Sequence, residues 1–339
     1  MISTGNCGRD DTARHRHPRA RPMGESIRWG ILGTASIAAR AFLPALRDAG
    51  GRALVVGSRS PDRGRAWAAE NQVAGSAGYE AVIADPAVQA IYVALPNDQH
   101  AHWAGAALAA GKVVLCEKPM ALDAAQARGL LRAVPAAGLL WESFVFPFHP
   151  QTALLRSLIA DGRIGALSEI ASEFHFQVSS AGNIRLDPER GGGALYDVGC
   201  YPIRLARLLC GTEPLRANGS ATLRGVDRDL AAVVDFPGVR LVVSAGLHRA
   251  PSTFTRIIGT SGELRVSNPF HPRATDTVEL WTDGERKRTW SADGVPAFQH
   301  AIAYIHQVMT GETVPEHLAV DDALAQAEAM DLVRRGISA

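Results

Sequence analysis

The chain has 339 residues, 47% hydrophobic and 20% charged, with a formal net charge of +1, so it can bury the cores of about two domains and carries no overall field for nucleic acid or an anionic membrane. No apolar run reaches the roughly 18 residues of a membrane span. The four cysteines, Cys7, Cys116, Cys200 and Cys210, lie far apart with no Cys-x-x-Cys and no His/Cys cluster at zinc spacing, which favours a reducing cytoplasm over a disulfide scaffold or a structural metal.

In chain order, residues 1–26 form a basic tail in which Arg9, Arg14, Arg16, Arg19 and Arg21 face only Asp10 and Asp11. No apolar stretch separates it from the first strand, so it is expected to be disordered rather than a secretory leader, with Met23 a candidate start. Alternating elements follow. Strands are expected at Ile27–Leu32, Ala53–Gly57, Ile91–Leu95, Val113–Cys116 and Leu139–Trp141, with helices at Ser36–Asp48, Pro61–Glu70, Ala101–Ala110 and Leu122–Val134. This period predicts a doubly wound parallel sheet, a Rossmann-type domain over 27–143. Over 144–335 the pattern changes to an α+β domain on a large, mostly antiparallel open sheet. Helices are expected at Thr152–Asp161 and Gly193–Leu209. Leu230–Phe236 and Val239–Ala245 form a hairpin about Pro237-Gly238, and strands follow at Thr253–Gly259, Gly262–Val266, Val278–Trp281 and Lys287–Trp290. Helices return at Ala297–Met309 and Asp321–Arg335.

Gly33-Thr34-Ala35-Ser36-Ile37 stands between the first strand and its helix, where a dinucleotide fold turns tightly and sets a pyrophosphate on the helix N-terminus. The alternative is a tight turn with no nucleotide. The second strand ends in Ser58-Arg59, with Arg63 a turn later and no carboxylate for a ribose 2′-hydroxyl. A guanidinium there can grip a 2′-phosphate, so the expected cofactor is NADP, with NAD possible; a merely solvated arginine is the plainer reading. Leu95-Pro96-Asn97 and Glu117-Lys118 end the next two strands, beside which an open α/β sheet binds its ligands. His100 and Glu117 join the expected cofactor contacts. Lys118 is one of only three lysines, against 32 arginines, so its amine is more than a generic charge. Asp197 and Tyr201 are four residues apart, on one face of a helix. Beside an ammonium the Tyr201 phenol is expected to ionise more easily and shuttle a proton. The plain alternatives are a surface lysine and a half-buried core tyrosine. Of the histidines, His100, His102 and His149 are placed near the cleft, in hydrogen-bonding or packing roles rather than as metal ligands, whereas His248, His271 and His317 look like loop or surface residues.

Three segments in order, Trp29-Gly30-Ile31-Leu32-Gly33-Thr34-Ala35, Glu117-Lys118-Pro119 and Gly192-Gly193-Ala194-Leu195-Tyr196-Asp197-Val198-Gly199-Cys200-Tyr201, resemble the Gfo/Idh/MocA oxidoreductases over about residues 27–335. Tyr201, where other members carry histidine, looks like the branch of glucose–fructose oxidoreductase, dihydrodiol and xylose dehydrogenases and sugar 3-ketoreductases. The resemblance implies hydride transfer between nicotinamide C4 and a carbinol or carbonyl carbon of a sugar, nucleotide-sugar or polyol. Lys118 and Tyr201 would be catalytic and Asp197 would orient substrate or lysine. Arg185 and His149 join these three as expected substrate contacts. A homodimer or homotetramer is implied. Two other functions occur on this architecture: a non-catalytic ligand sensor, disfavoured by the pairing of Lys118 with Tyr201, and an NAD-assisted glycosidase, for which Ser58-Arg59 is the wrong second-strand end.

Overall fold

The computed structural model describes residues 26–133, 139–180, 182–315 and 319–338. The tail at 1–25, and with it Cys7, His15 and His17, lies outside them, as do Val134 and His317.

The first sheet is parallel and six-stranded: β1 (Arg28–Leu32), β2 (Arg52–Gly57), β3 (Gly75–Ala77), β4 (Ala90–Val93), β5 (Val113–Cys116) and β6 (Leu140–Glu142), in the spatial order β3-β2-β1-β4-β5-β6. Its strands are apolar on both alternations because both faces are covered. Trp29, Ile31, Tyr92, Leu115 and Trp141 face one core, and Leu32, Ile91, Val93, Val114 and Leu140 the other. Helix α1 (Leu43–Asp48) follows a π-helical stretch, Ala38–Phe42; then come α2 (Pro61–Glu70), α3 (Tyr79–Ala84), α4 (His100–Ala109) and α5 (Ala124–Ala133). The expected parallel fold is present with one strand and one helix more than expected. Gly75-Ser76-Ala77 has no β-branched residue, and α3 is only six residues long, so neither carries a pattern that sequence reading can detect.

The second sheet is mixed and nine-stranded: β7 (Leu167–Gln177), β8 (Arg216–Arg224), β9 (Val226–Phe236), β10 (Val239–Gly246), β11 (His248–Gly259), β12 (Glu263–Val266), β13 (Thr277–Thr282), β14 (Glu285–Ser291) and the short β15 (Ile337–Ser338). β7 lies at its centre, parallel to β10 and antiparallel to β11. The stretch between the two expected helices reads only as hairpin-like, with no strand bounds, because Ser168, Glu169, Ser172 and Glu173 break the apolar pattern. Ser172 is nevertheless buried, its hydroxyl 2.6 Å from that of Thr255 on β11, so the core accepts it as a satisfied polar pair. Helices α6 (Pro150–Ala160) and α7 (Cys200–Cys210) and part of the long final helix cover one face. The other turns Ala231, Val233, Arg240 and Val242 to solvent.

Helix α8 (Ala297–Thr310) departs from the expected division at residue 144. Its apolar stripe, Phe298, Ala301, Ile302 and Ile305, packs on the Trp29/Tyr92 face of the first sheet. Helix α9 (Ala319–Gly336) then bridges, with Ala323 in the core of the first sheet and Ala329, Met330 and Val333 in that of the second. Among the described residues no helix is long and apolar enough to cross a membrane.

Candidate active site

The carboxyl ends of β1, β4 and β5 face the 184–201 segment and the β12–β13 turn across a cleft of about 450 Å³. Gly33, just before the cleft-lining Ala35, has φ +106°, and a Cβ there would stand 2.3 Å from the Ala94 carbonyl oxygen. Only glycine lets the turn after β1 lie this close to the end of β4. Thr34 completes the turn, and Ala35, Ser36 and Ile37 line the cleft at the opening of a helix whose first amides have no intrahelical acceptor. Ile37 is 39% exposed there, an apolar side chain awaiting cover. A dinucleotide fits this shape: backbone amides and small residues for the phosphates, an apolar wall for a flat ring.

Ser58, Arg59 and Arg63 stand apart from the cleft, at the end of the neighbouring β2. Ser58 is buried and its hydroxyl accepts the Ser60 amide (3.2 Å), while both arginines are exposed. That is where the adenosine end of a cofactor running along the strand ends would arrive.

Leu95 and Asn97 line the cleft on either side of Pro96, and the Asn97 amide donates to the Gly191 carbonyl (2.9 Å) across the cleft. His100 serves the walls themselves. Its Nδ1 is 2.8 Å from the Pro119 carbonyl and its Nε2 2.7 Å from that of Leu95, so the ring braces the loop after β4 against the loop after β5. Burial lowers its pKa despite the two carbonyls. Glu117 is aimed by Tyr92, whose hydroxyl donates to Oε1 (2.5 Å).

The charged centre joins the two halves of the molecule. Lys118 Nζ donates to the Asp197 carbonyl (2.8 Å) and to Asp197 Oδ1 (3.0 Å), and Arg185 Nε donates to Oδ2 (2.6 Å). Burial opposes the charge on Lys118, yet the Asp197 carboxylate beside it wins and holds the ammonium above its ordinary range. Burial likewise opposes the charge on Asp197, and the two cations hold it below the usual carboxylate range. Lys118 Nζ lies 5.2 Å from the centre of the Tyr201 ring, which is boxed by Phe144, Phe174 and Phe270 at 5.3–5.5 Å. Tyr201 lines the cleft, and among the described residues its hydroxyl has no hydrogen-bond partner. One expectation is corrected here. Burial outweighs the nearby ammonium, so the phenol pKa is raised rather than lowered. Tyr201 rests as a proton donor.

Gly192 and Gly193 explain how Arg185 reaches Asp197. Gly193 (φ +125°) gives its amide to the Arg185 carbonyl (2.9 Å), and a Cβ on Gly193 would meet Asp227 Oδ1 at 2.0 Å. A Cβ on Gly192 would meet the Arg185 carbonyl oxygen at 2.6 Å. The chain is thus folded back so that the 184–186 turn lies on the start of the next helix. That start, Leu195–Gly199, is π-helical rather than the regular helix expected, and both Asp197 and Tyr201 still face the cleft.

Comparison with known proteins agrees with this construction. Residues 27–143 match the oxidoreductase family with an NAD-binding Rossmann fold, and residues 152–265 the GFO/IDH/MocA C-terminal domain. The chain belongs to the GFO/IDH/MocA oxidoreductases. It is 35% identical to a D-xylose 1-dehydrogenase (NADP(+)) of Haloferax volcanii, over 84% of this chain and 90% of that one. It is also 35% identical to a dTDP-3,4-didehydro-2,6-dideoxy-alpha-D-glucose 3-reductase of Streptomyces violaceoruber, over 91% and 95%. A crystal structure of a 3-ketoreductase from Actinomadura kijaniata, in complex with NADP and TDP-benzene, superposes with a TM-score of 0.85 at 31% identity, covering 92% of this chain and 98% of that one.

Three histidines of this GFO/IDH/MocA oxidoreductase are placed otherwise than expected. His102 is exposed on α4 against Trp103 and does not line the cleft, because of the two histidines on that helix only His100 turns inward. His149 does not line the cleft. It is 1% exposed, its Nδ1 accepts the Gln151 amide (3.0 Å) at the start of α6, and its Nε2 lies 3.0 Å from Asp293 Oδ1. Asp293 Oδ2 is in turn 3.0 Å from His300 Nε2. The three could enclose an ion by distance. However, with Nδ1 accepting a hydrogen bond the neutral ring carries its proton on Nε2, so the atom nearest Asp293 has no lone pair to offer an ion. The group is a polar tie between the starts of α6 and α8. His271, expected at the surface, lines the cleft instead, its ring 5.5 Å from that of Tyr201. Nothing in the local sequence marks it beyond the turn-forming Asn268-Pro269.

Proposed function

We propose that this oxidoreductase moves a hydride between NADP(H) and a carbinol or carbonyl carbon of a sugar-like substrate, with Tyr201 exchanging the proton of the reacting oxygen. The observation that carries the reading is the free Tyr201 hydroxyl opening on the cleft beside an ammonium pinned by Asp197. The bound nicotinamide supplies or accepts the hydride. In reduction the carbonyl carbon gains hydride while its oxygen takes the Tyr201 proton, and Lys118 offsets the negative charge that develops on both oxygens. In oxidation the proton returns to Tyr201. With its pKa raised the Tyr201 phenol rests protonated, the state from which the reducing direction starts.

Arg59 and Arg63, exposed at the end of β2 where no carboxylate stands, support NADP over NAD. Residues 27–143 would hold the cofactor, and 144–335, apart from α8, the substrate and the assembly contacts. The open face of the second sheet, with Val233 and Val242 each 37% exposed, is where a second copy would dock to make a homodimer or homotetramer, measurable by light scattering. Cys116, Cys200 and Cys210 are free thiols, in keeping with a cytoplasmic enzyme. The function is tested with a panel of aldoses, inositols, keto-sugars and dTDP-sugars, following NADPH absorbance in both directions. Turnover of at least one sugar is expected, and an enzyme inert on the whole panel would overturn the reading.

A further inference from the structure

Residues 268–271 form a turn between β12 and β13, and it is built more rigidly than an exposed connection requires. The Asn268 side chain clamps His271 at both ends of its backbone: Oδ1 accepts the His271 amide (3.1 Å) and Nδ2 donates to the His271 carbonyl (2.6 Å). The same Nδ2 donates to Asp276 Oδ2 (3.1 Å), which also accepts the Arg273 amide (2.8 Å). From the other side the Gln151 amide reaches the Asn268 carbonyl (3.0 Å). Phe270 is fully buried and stacks on Phe174, with ring centres 5.6 Å apart and planes 16° from parallel.

All of this fixes one side chain that is itself uncommitted. The His271 imidazole keeps its exposed surface toward the cleft, between Tyr201 (5.5 Å) and Phe174 (5.9 Å), and among the described residues neither ring nitrogen has a hydrogen-bond partner. Crowding by the surrounding protein, then the Lys118 ammonium, pushes its pKa down to about 4. At neutral pH the ring is uncharged and presents one donor and one acceptor. A side chain held by supporting hydrogen bonds yet free at its tip is how binding sites achieve geometric selectivity.

We propose that His271 is a specificity-determining residue that hydrogen-bonds an oxygen substituent of the substrate flanking the carbon at which hydride is exchanged. This rests on the reading of the cleft as a sugar site. A hydroxyl can both accept from and donate to a neutral imidazole, and Tyr201 next to it holds the reacting oxygen. His271 then has no part in moving the proton. It sorts substrates by whether the neighbouring carbon bears oxygen.

The test uses the full chain with NADP(H), a sugar that the wild type turns over, and the monodeoxy analogues of that sugar. His271→Leu should raise KM for the parent sugar about ten-fold, the scale of one neutral hydrogen bond, and leave KM for one deoxy analogue unchanged. The dissociation constant for NADPH should not move. His271→Asn, which keeps a donor and an acceptor, should recover part of the loss. Because the turn is held through backbone atoms by Asn268, both variants should melt with the wild type. Equal KM changes for the parent and every deoxy analogue, or a loss confined to kcat, would overturn the inference while leaving the oxidoreductase reading intact. A wild type inert on every sugar would overturn both.

Discussion

Asp197 carries two cations at once, so replacing it with asparagine separates the electrostatic role of the site from its shape. With Oδ1 3.0 Å from Lys118 Nζ and both side chains under 15% exposed, the attraction is about 5 kcal/mol at an effective dielectric of 20. That is about four pKa units on the lysine. In the wild type the ammonium is held above its ordinary 10.5, so its charge persists through neutral pH, and the stability it contributes is full below 10.5 and is lost as pH rises from there through the raised value. In Asp197→Asn the burial that pushes the lysine down is no longer opposed by a carboxylate, and Lys118 should titrate below pH 10. The expected outcome is a new alkaline limb in kcat/KM between pH 7 and 10, together with about 3–5 kcal/mol lower stability in urea unfolding because the buried Lys118 ammonium loses its partner, the half-exposed Arg185 adding little. Paired pH profiles of the two enzymes, measured on one substrate from pH 6 to 10.5, decide it. Superimposable profiles would refute the assignment of Asp197 as the group that fixes the charge of Lys118.

Two further outcomes rest on other parts of the molecule. Arg59→Ala should remove most of an at least ten-fold preference for NADPH over NADH, about 1.4 kcal/mol, in fluorescence titration, and equal affinities in the wild type would sink the arginine argument. Burial pushes the Glu142 carboxyl up to about 7 although it accepts the Met120 amide (2.8 Å). A raised carboxyl costs stability as pH rises from its unfolded value through 7, so the melting temperature of Glu142→Gln should gain on the wild type from pH 5 to 8 and then level off; a constant difference would contradict the buried, raised state.

The parallel sheet was legible because its strands are apolar on both alternations and its helices punctuate them, from Trp29–Leu32 through Val113–Cys116. The site was legible where chemistry and position coincide: Lys118 at a strand end, Asp197 and Tyr201 one turn apart, glycines before them. β7 was hidden because its burial is carried by long-range pairing, Ser172 against Thr255, rather than by apolar residues. α8 was grouped with residues 144–335 although it packs on the first sheet, because an amphipathic helix records that it has a partner and not which one. His149 and His271 were misplaced for the same reason. A histidine's neighbours in space, Asp293 for one and Tyr201 for the other, are absent from its neighbours in sequence. The sign of the Tyr201 shift was missed because sequence supplies the lysine but not the phenylalanine box that desolvates the phenol.

The central claim is that one proton donor, the Tyr201 hydroxyl, serves a substrate oxygen next to the Lys118 ammonium. Tyr201→Phe removes that proton and keeps the ring that packs on Phe144, Phe174 and Phe270. Single-turnover hydride transfer, measured by NADPH absorbance on a sugar the wild type uses, tests it most directly. The rate should fall at least 10²-fold with NADPH affinity unchanged, and the Lys118→Ala, Tyr201→Phe double variant should lose much less than the product of the two single losses. A Tyr201→Phe enzyme that transfers hydride at nearly the wild-type rate would contradict the assignment and leave the proton to another group of the cleft.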